Sequence, residues 1–268
     1  MRSVGRQARF VVRDGPLRRG VLRTFARAVG VQLAEVEKPL GEYPSVNAFF
    51  VRRLRPGIRS WPGDDQTLAS PVDGATGQVG RVHGGRVLQA KGRWYSVAEL
   101  IEDEEEARRY DGGSFVTLYL SPRDYHRIHV PVGGTIPYAR YVPGALLPVN
   151  AAAVAHVPDL FARNERLLCA IDSPLGRVTV VAVGAYNVGR ISAAFDPAWR
   201  AEEGLGGWVT NRKGGEAGTH EYSPPIEVRQ GEELMAFHLG STVVLLLEPA
   251  RARLRPEIQP GSSIRLGQ

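Results

Sequence analysis

Leu234-Met235-Ala236-Phe237-His238-Leu239-Gly240-Ser241-Thr242-Val243-Val244-Leu245-Leu246-Leu247 is an apolar run interrupted only by His238, Gly240, Ser241 and Thr242. A run this apolar predicts one long buried strand over 234–247. Comparable runs predict strands at 78–82, 86–90, 114–120, 135–141, 166–171, 176–183 and 187–193, with turn residues between nearly all of them. Glycine and proline number 31 and 19 in 268 residues and are spread along the length, which suits short strands joined by turns and argues against a helix bundle. Helical patterns are few: 16–30, a short helix with Ser45 as N-cap carrying Val46, Phe49 and Phe50 inward, 97–110, and a short one at 154–161. Residues 195–225, rich in glycine, tryptophan and charge, read as a long irregular excursion. The expected fold class is α+β: a single domain with an antiparallel, barrel-like or sandwiched β core and short N-terminal helices.

The length is enough to bury a sizeable core. The net charge is +6, and the cations are one-sided: Lys38, Lys91 and Lys213 are the only lysines. Eight arginines (2, 6, 9, 13, 18, 19, 23 and 27) precede residue 30, against the single acid Asp14. Such an end attracts polyanions, either nucleic acid or an anionic lipid surface. Neither zinc-finger spacing nor an aromatic-basic RNA-binding signature is present, so no nucleic-acid partner is expected. In 16–30, Leu17, Val21, Phe25 and Val29 recur every four residues, with Arg18, Arg19, Arg23 and Arg27 displaced from them. Pro16 opens this helix and Gly30 closes it. It reads either as a helix lying in a membrane interface or as a surface helix packed on its own domain. The division is therefore a basic amphipathic arm, 1–42, and a domain, 43–268.

The longest apolar runs are of strand length, far below the roughly 20 residues of a membrane-crossing helix. The N-terminus lacks the apolar stretch of a signal peptide, so a soluble or peripheral protein is expected. Cys169 is the one cysteine, which leaves no intramolecular disulfide. Inside Leu167-Leu168-Cys169-Ala170-Ile171 it reads as core filler.

Three stretches concentrate reactive and turn-forming groups: Ser70-Pro71-Val72-Asp73-Gly74, Asp124-Tyr125-His126-Arg127-Ile128-His129, and Leu239-Gly240-Ser241-Thr242. Gly-Ser within a buried strand usually marks a bulge or a close backbone approach. It also lets the serine hydroxyl swing back onto the glycine carbonyl, as an N-to-O acyl shift requires. His126 and His129 share a face only if their segment is helical, and point to opposite sides if it is extended. The acids and cysteine that would complete a metal site are not clustered with them, so no metal is expected. An acid, a histidine and a serine are the parts of a charge-relay set.

These stretches, with Leu120-Ser121-Pro122-Arg123 ahead of the second and Val130-Pro131 after it, resemble the successive motifs of phosphatidylserine decarboxylases. So do Val142-Pro143-Gly144-Ala145-Leu146 with Val149-Asn150, Asn164-Glu165-Arg166, and Phe237-His238 before the third stretch. Upstream, Val46-Asn47-Ala48-Phe49-Phe50-Val51-Arg52-Arg53-Leu54 resembles the family's asparagine-aromatic motif. The motifs occur in the family's order from about Tyr43 to Pro249.

The resemblance implies self-cleavage between Gly240 and Ser241 by Asp73, His129 and Ser241, giving a large chain, 1–240, and a small chain, 241–268, that remain associated. Ser241 would become a covalent pyruvoyl group, the electron sink for decarboxylating phosphatidylserine to phosphatidylethanolamine. His126 matches a histidine of substrate handling, as proton donor to the carbanion or as phosphate contact. Peripheral contact with an anionic membrane at its cytoplasmic face follows, and a homodimer is left open. Arg190 departs from the pattern, standing where a small residue is expected.

A serine hydrolase would show a G-x-S-x-G elbow, whereas Gly240-Ser241-Thr242-Val243-Val244 runs on as strand. A pyridoxal-phosphate enzyme would need a lysine beside a phosphate-binding glycine loop, and Lys91 has none. The alternatives that remain are a decarboxylase of another serine-headed lipid and a degenerate, non-catalytic lipid-binding member.

Overall fold

The computed structural model describes residues 16–64, 66–90, 92–185, 191–199, 217–238 and 241–268, with the backbone alone at 16 and 241. Lys91, Arg190 and the first four arginines lie outside the described residues. The chain is a mostly antiparallel α+β domain with six short helices among the described residues. The helices are α1 (Pro16–Val29), α2 (Val46–Phe50), α3 (Val97–Ile101), α4 (Glu104–Arg108), α5 (Ala151–His156) and α6 (Leu160–Arg163).

An eight-stranded sheet runs β10-β6-β7-β8-β12-β4-β1-β13. In chain order these strands are β1 (Gly74–Arg81), β4 (Ser114–Leu120), β6 (Gly134–Val142), β7 (Arg166–Ser173), β8 (Gly176–Val183), β10 (Gly218–Val228), β12 (Ser241–Leu247) and β13 (Ser263–Ile264). A three-stranded sheet is ordered β5 (Arg127–His129), β11 (Glu233–Phe237), β9 (Ile191–Ala193), and β2 (Arg86–Ala90) pairs with β3 (Arg93–Ser96). The large sheet is open rather than a closed barrel, so the sandwich is the form realised.

The central strands are covered on both faces, which is why their sequences read as continuous apolar runs rather than alternating ones. One face carries Val116, Leu118, Leu120, Val180, Ala182, Val243, Leu245 and Leu247 into a core shared with Ile128, Ile191, Met235 and Phe237 of the small sheet. The other carries Phe115, Val181, Val183, Val244 and Leu246 against Tyr95, Leu100, Ile101, Tyr110 and Phe161. Cys169 sits in the first core, where burial pushes its thiol pKa up.

Several boundaries differ from expectation. The run 234–247 is two strands in two sheets, because β11 ends at Phe237 and β12 begins at Ser241. Both halves are equally apolar, so composition alone does not reveal the change of sheet. The helix expected over 97–110 is broken at Glu102, whose left-handed φ of 51° ends α3 before Asp103 caps α4. The helix expected at 154–161 is likewise two, α5 and α6, separated by 157–159 with Pro158 between. Part of the excursion at 195–225 is the edge strand β10, and its Pro224 and Pro225 fall at a register shift. Residues 200–216 of it lie outside the described residues.

Ser45 caps α2 as expected, its Oγ accepting the Ala48 N–H at 3.0 Å. Helix α1 buries Leu22 and Ala26 against Val36, Tyr43 and Phe49. Its expected apolar stripe is split: Phe25 and Val29 are half-buried, while Leu17 is 79% and Val21 44% exposed. Among the described residues no helix is long and apolar enough to cross a membrane.

Candidate active site

The site is built where β4 ends. After Leu120, the Asp124 carboxylate folds the chain back by accepting both the N–H and the Oγ–H of Ser121, each at 2.7 Å. The buried Arg52 guanidinium closes the same turn, donating to the carbonyls of Arg123 (2.8 Å) and Asp124 (2.9 Å). This turn delivers His126 and then β5.

Gly74 and Ser241 approach the end of β4 from its two sides. Ser241 is the register partner of Leu120, and Ala75 is that of Tyr119. Gly74 therefore faces Leu120, and a Cβ on it would lie 2.4 Å from the Tyr119 carbonyl oxygen, so only glycine fits. Two inter-strand steps separate Gly74 from Ser241, roughly 10 Å. The Ser241 side chain and Gly240 lie outside the described residues.

His126 and His129 diverge, as an extended segment requires. The His126 ring is fully buried, stacks on Phe50 with centroids 3.9 Å apart, and donates from Nε2 to the Ser121 carbonyl at 3.0 Å. Its Nδ1 is buried with no hydrogen-bond partner among the described residues. Burial, helped by the Arg52 charge, lowers its pKa to about 3, so the ring is neutral.

His129 is held by both nitrogens. Nδ1 lies 2.8 Å from the Gly231 carbonyl, which can only accept, so Nδ1 carries the hydrogen. Nε2 is then the lone-pair nitrogen and accepts from the Tyr125 hydroxyl at 3.0 Å. Burial lowers the His129 pKa, while the charges of Glu233 and Asp73 oppose that shift. The backbone N–H of His129 donates to Pro71 at 2.9 Å, tying β5 to the turn that bears Asp73.

Asp73 does not hydrogen-bond His129. Its carboxylate takes a fork from Arg59 (Nε to Oδ1 3.0 Å, Nη2 to Oδ2 2.6 Å) and a third bond from the Leu266 N–H at 2.8 Å. Arg59 also reaches Glu35 at 2.8 Å, and its pKa is raised, chiefly by the bond to Asp73. A cavity of about 390 Å³ opens here, walled by Arg53, Arg59, Trp61, Tyr125, His129 and Leu266.

The structure thus puts His129 on the wall of one cavity together with Arg59 and Leu266, the two residues that hold Asp73, with Ser241 and His126 at the end of β4. The orienter of His129 is the Gly231 carbonyl, which no sequence motif announces, since every residue carries a carbonyl. Arg59 and Trp61 were equally invisible, lying in a stretch without periodicity. Other motif residues build the frame: Asn164 ties Leu147 to Gly184, and Arg166 donates to the carbonyls of Glu99, Leu100, Ala162 and Asn164.

The family model described as phosphatidylserine decarboxylase matches residues 46–268. The chain belongs to the phosphatidylserine decarboxylase family. It is therefore an enzyme, a decarboxylase, as the ordered motifs implied. The phosphatidylserine decarboxylase proenzyme of Anaeromyxobacter sp. (strain K) is 48% identical over 253 residues, covering 94% of this chain and 86% of that protein. That of Myxococcus xanthus (strain DK1622) is 42% identical over 265 residues, 99% of this chain and 90% of the other. That of Methylococcus capsulatus is 40% identical over 259 residues, 96% and 86%. The phosphatidylserine decarboxylase match takes in α2, all three sheets and the whole cavity wall, whereas α1 precedes it.

Proposed function

We propose that the chain cuts itself between Gly240 and Ser241, converts Ser241 into a pyruvoyl group, and then decarboxylates phosphatidylserine to phosphatidylethanolamine. The observation carrying this reading is the His129 tautomer: a neutral imidazole on the cavity wall, with its hydrogen on Nδ1 and its Nε2 lone pair toward Tyr125, at the sheet end where Ser241 begins its strand. The relatives are named proenzymes, which fits a chain that must be cut to become active.

In the first step Tyr125 yields Nε2 of His129, which takes the Ser241 hydroxyl proton as that oxygen attacks the Gly240 carbonyl carbon. The Gly240–Ser241 amide gives way to an ester. The Asp73 charge favours the imidazolium that forms. Loss of the Ser241 Cα proton then expels the Gly240 carboxylate, and the dehydroalanine left at the new N-terminus is hydrolysed to pyruvoyl and ammonia. A pyruvoyl group supplies the electron sink that decarboxylation of an amino acid needs.

The residues fit such a group: His126 is bonded through Nε2 to the carbonyl of Ser121, one residue beyond the Leu120 partner of Ser241, and its buried Nδ1 has no hydrogen-bond partner among the described residues. With its Nε2–H committed to Ser121, His126 would handle substrate through Nδ1, taking a proton from water there and delivering it to the substrate α-carbon in place of the departing CO₂. Burial opposes a lasting imidazolium, which makes a phosphate contact the weaker of its two roles.

In this reading 1–42 is an arm and 43–268 the decarboxylase domain, cut into 1–240 and 241–268. The two pieces stay together because β12 is paired on both sides, with β4 and β8, and the C-terminal tail pairs with β1. On α1, Leu17 and Val21 border an open hollow of about 720 Å³ with Phe25 and Val46, flanked by exposed Arg19, Arg23 and Arg27. This face docks peripherally on the anionic cytoplasmic leaflet, apolar side inward. The test is to incubate the purified protein with phosphatidylserine vesicles: phosphatidylethanolamine forms with wild type and not with Ser241→Ala. Equal turnover by that variant would overturn the proposal.

A further inference from the structure

Asp73 is fixed at its backbone by its neighbours in the sheet. Gly74 is wedged against Tyr119 and registered with Ile264 of β13, and Ser70 exchanges two backbone hydrogen bonds with Gln268 and Gly267. None of this sets the direction of the carboxylate. That direction comes from three hydrogen bonds, two from the Arg59 fork and one from the Leu266 N–H.

Arg59 is itself held at the far side by Glu35, on the turn that follows α1. The Arg59 and Asp73 side chains are only 9% and 12% exposed. A solvent-exposed pair would contribute little, but a bidentate pair this shielded fixes geometry as well as charge. Lysine cannot reproduce it, because one ammonium cannot fork.

We infer that Arg59 is the positioning residue of self-processing, holding the Asp73 carboxylate, together with the Leu266 N–H, in the orientation that supports His129. The inference rests on the reading that Asp73 belongs to the processing set. It links both ends of the chain to the cut: Arg59 from the N-terminal side, and Leu266 from the piece that the cut releases as the small chain.

The experiment follows the appearance of the two fragments over time in freshly synthesised wild type, Arg59→Lys, Arg59→Ala and Asp73→Asn, with folding checked by circular dichroism. Misplacing a supporting group by about an ångström slows a step roughly a hundredfold, so Arg59→Ala is expected to lose about that much and Arg59→Lys nearly as much. Guanidinium ion at low, non-denaturing concentration should accelerate Arg59→Ala and leave Arg59→Lys unchanged, a response that a merely weakened fold would not give. If Arg59→Ala does not fold, Arg59→Lys decides alone. A folded Arg59 variant cutting at the wild-type rate while Asp73→Asn stays uncut overturns the positioning role and spares the reading beneath it. Asp73→Asn cutting at the wild-type rate overturns both.

Discussion

Tyr125 donates its phenolic hydrogen to Nε2 of His129 at 3.0 Å, on the side of the ring opposite the nitrogen held by Gly231. Burial raises the Tyr125 pKa, so the hydroxyl stays protonated and remains a donor. The lone pair that would take the Ser241 proton is therefore occupied in the uncut chain.

Tyr125→Phe removes that competitor without disturbing Nδ1. A net hydrogen bond is worth about 1 kcal/mol, so self-cleavage should quicken by about fivefold. Quantifying the large fragment against time on denaturing gels checks this. A slower cut would show that Tyr125 assists His129 instead of restraining it.

Gly231→Ala attacks the other side of the ring. Gly231 has φ +86°, and a Cβ there would lie 2.8 Å from the Trp61 ring. The left-handed strain alone costs about 1–3 kcal/mol. Urea unfolding should show that loss, and the cut should slow because the carbonyl orienting His129 moves. Unchanged stability and rate together would remove Gly231 as the orienter.

The large sheet is legible in the sequence because its central strands are buried on both faces. Ser114–Leu120 and Gly176–Val183 can be read to the residue from their apolar runs alone. The small sheet is not, since β5 spans three residues and only His238-Leu239-Gly240 separates the equally apolar β11 and β12. In the site, Asp73, His126, His129 and Ser241 stand out as reactive types in dense motifs, while their partners do not. Arg59 meets Asp73 only through tertiary folding, and the Gly231 carbonyl is backbone chemistry without a residue signature. Helix α1 was half legible: a four-residue stripe predicts amphipathicity, but the packing of Leu22 and Ala26 on Tyr43 and Phe49 turns Leu17 and Val21 outward.

Acid should destabilise the fold through His126. Its folded pKa of about 3 lies below the ordinary 6.5, so between these values the unfolded chain binds the extra proton. The stability is fully present above about 6.5 and is lost as pH falls toward 3, by about 1.4 kcal/mol per pH unit. His129, shifted in the same direction, adds to the slope. Urea unfolding of the uncut Ser241→Ala protein at pH 7 and pH 5 measures it, and adding His126→Asn should remove about one proton's worth. An unaltered slope would mean that His126 is not buried neutral.

Leu17→Glu with Val21→Glu should weaken binding to phosphatidylserine vesicles in a sedimentation assay while leaving the fold intact, because both side chains are exposed. Deleting residues 1–30 should weaken it further, and wild-type binding should decline with added salt. Binding indifferent to all three changes would leave α1 without a membrane role.

The proposed cut between Gly240 and Ser241 is tested most directly by the intact mass of the purified, folded protein. Two chains should appear, 1–240 and 241–268, with the smaller one beginning in pyruvoyl rather than serine. A single uncut chain that still decarboxylates phosphatidylserine would contradict the account.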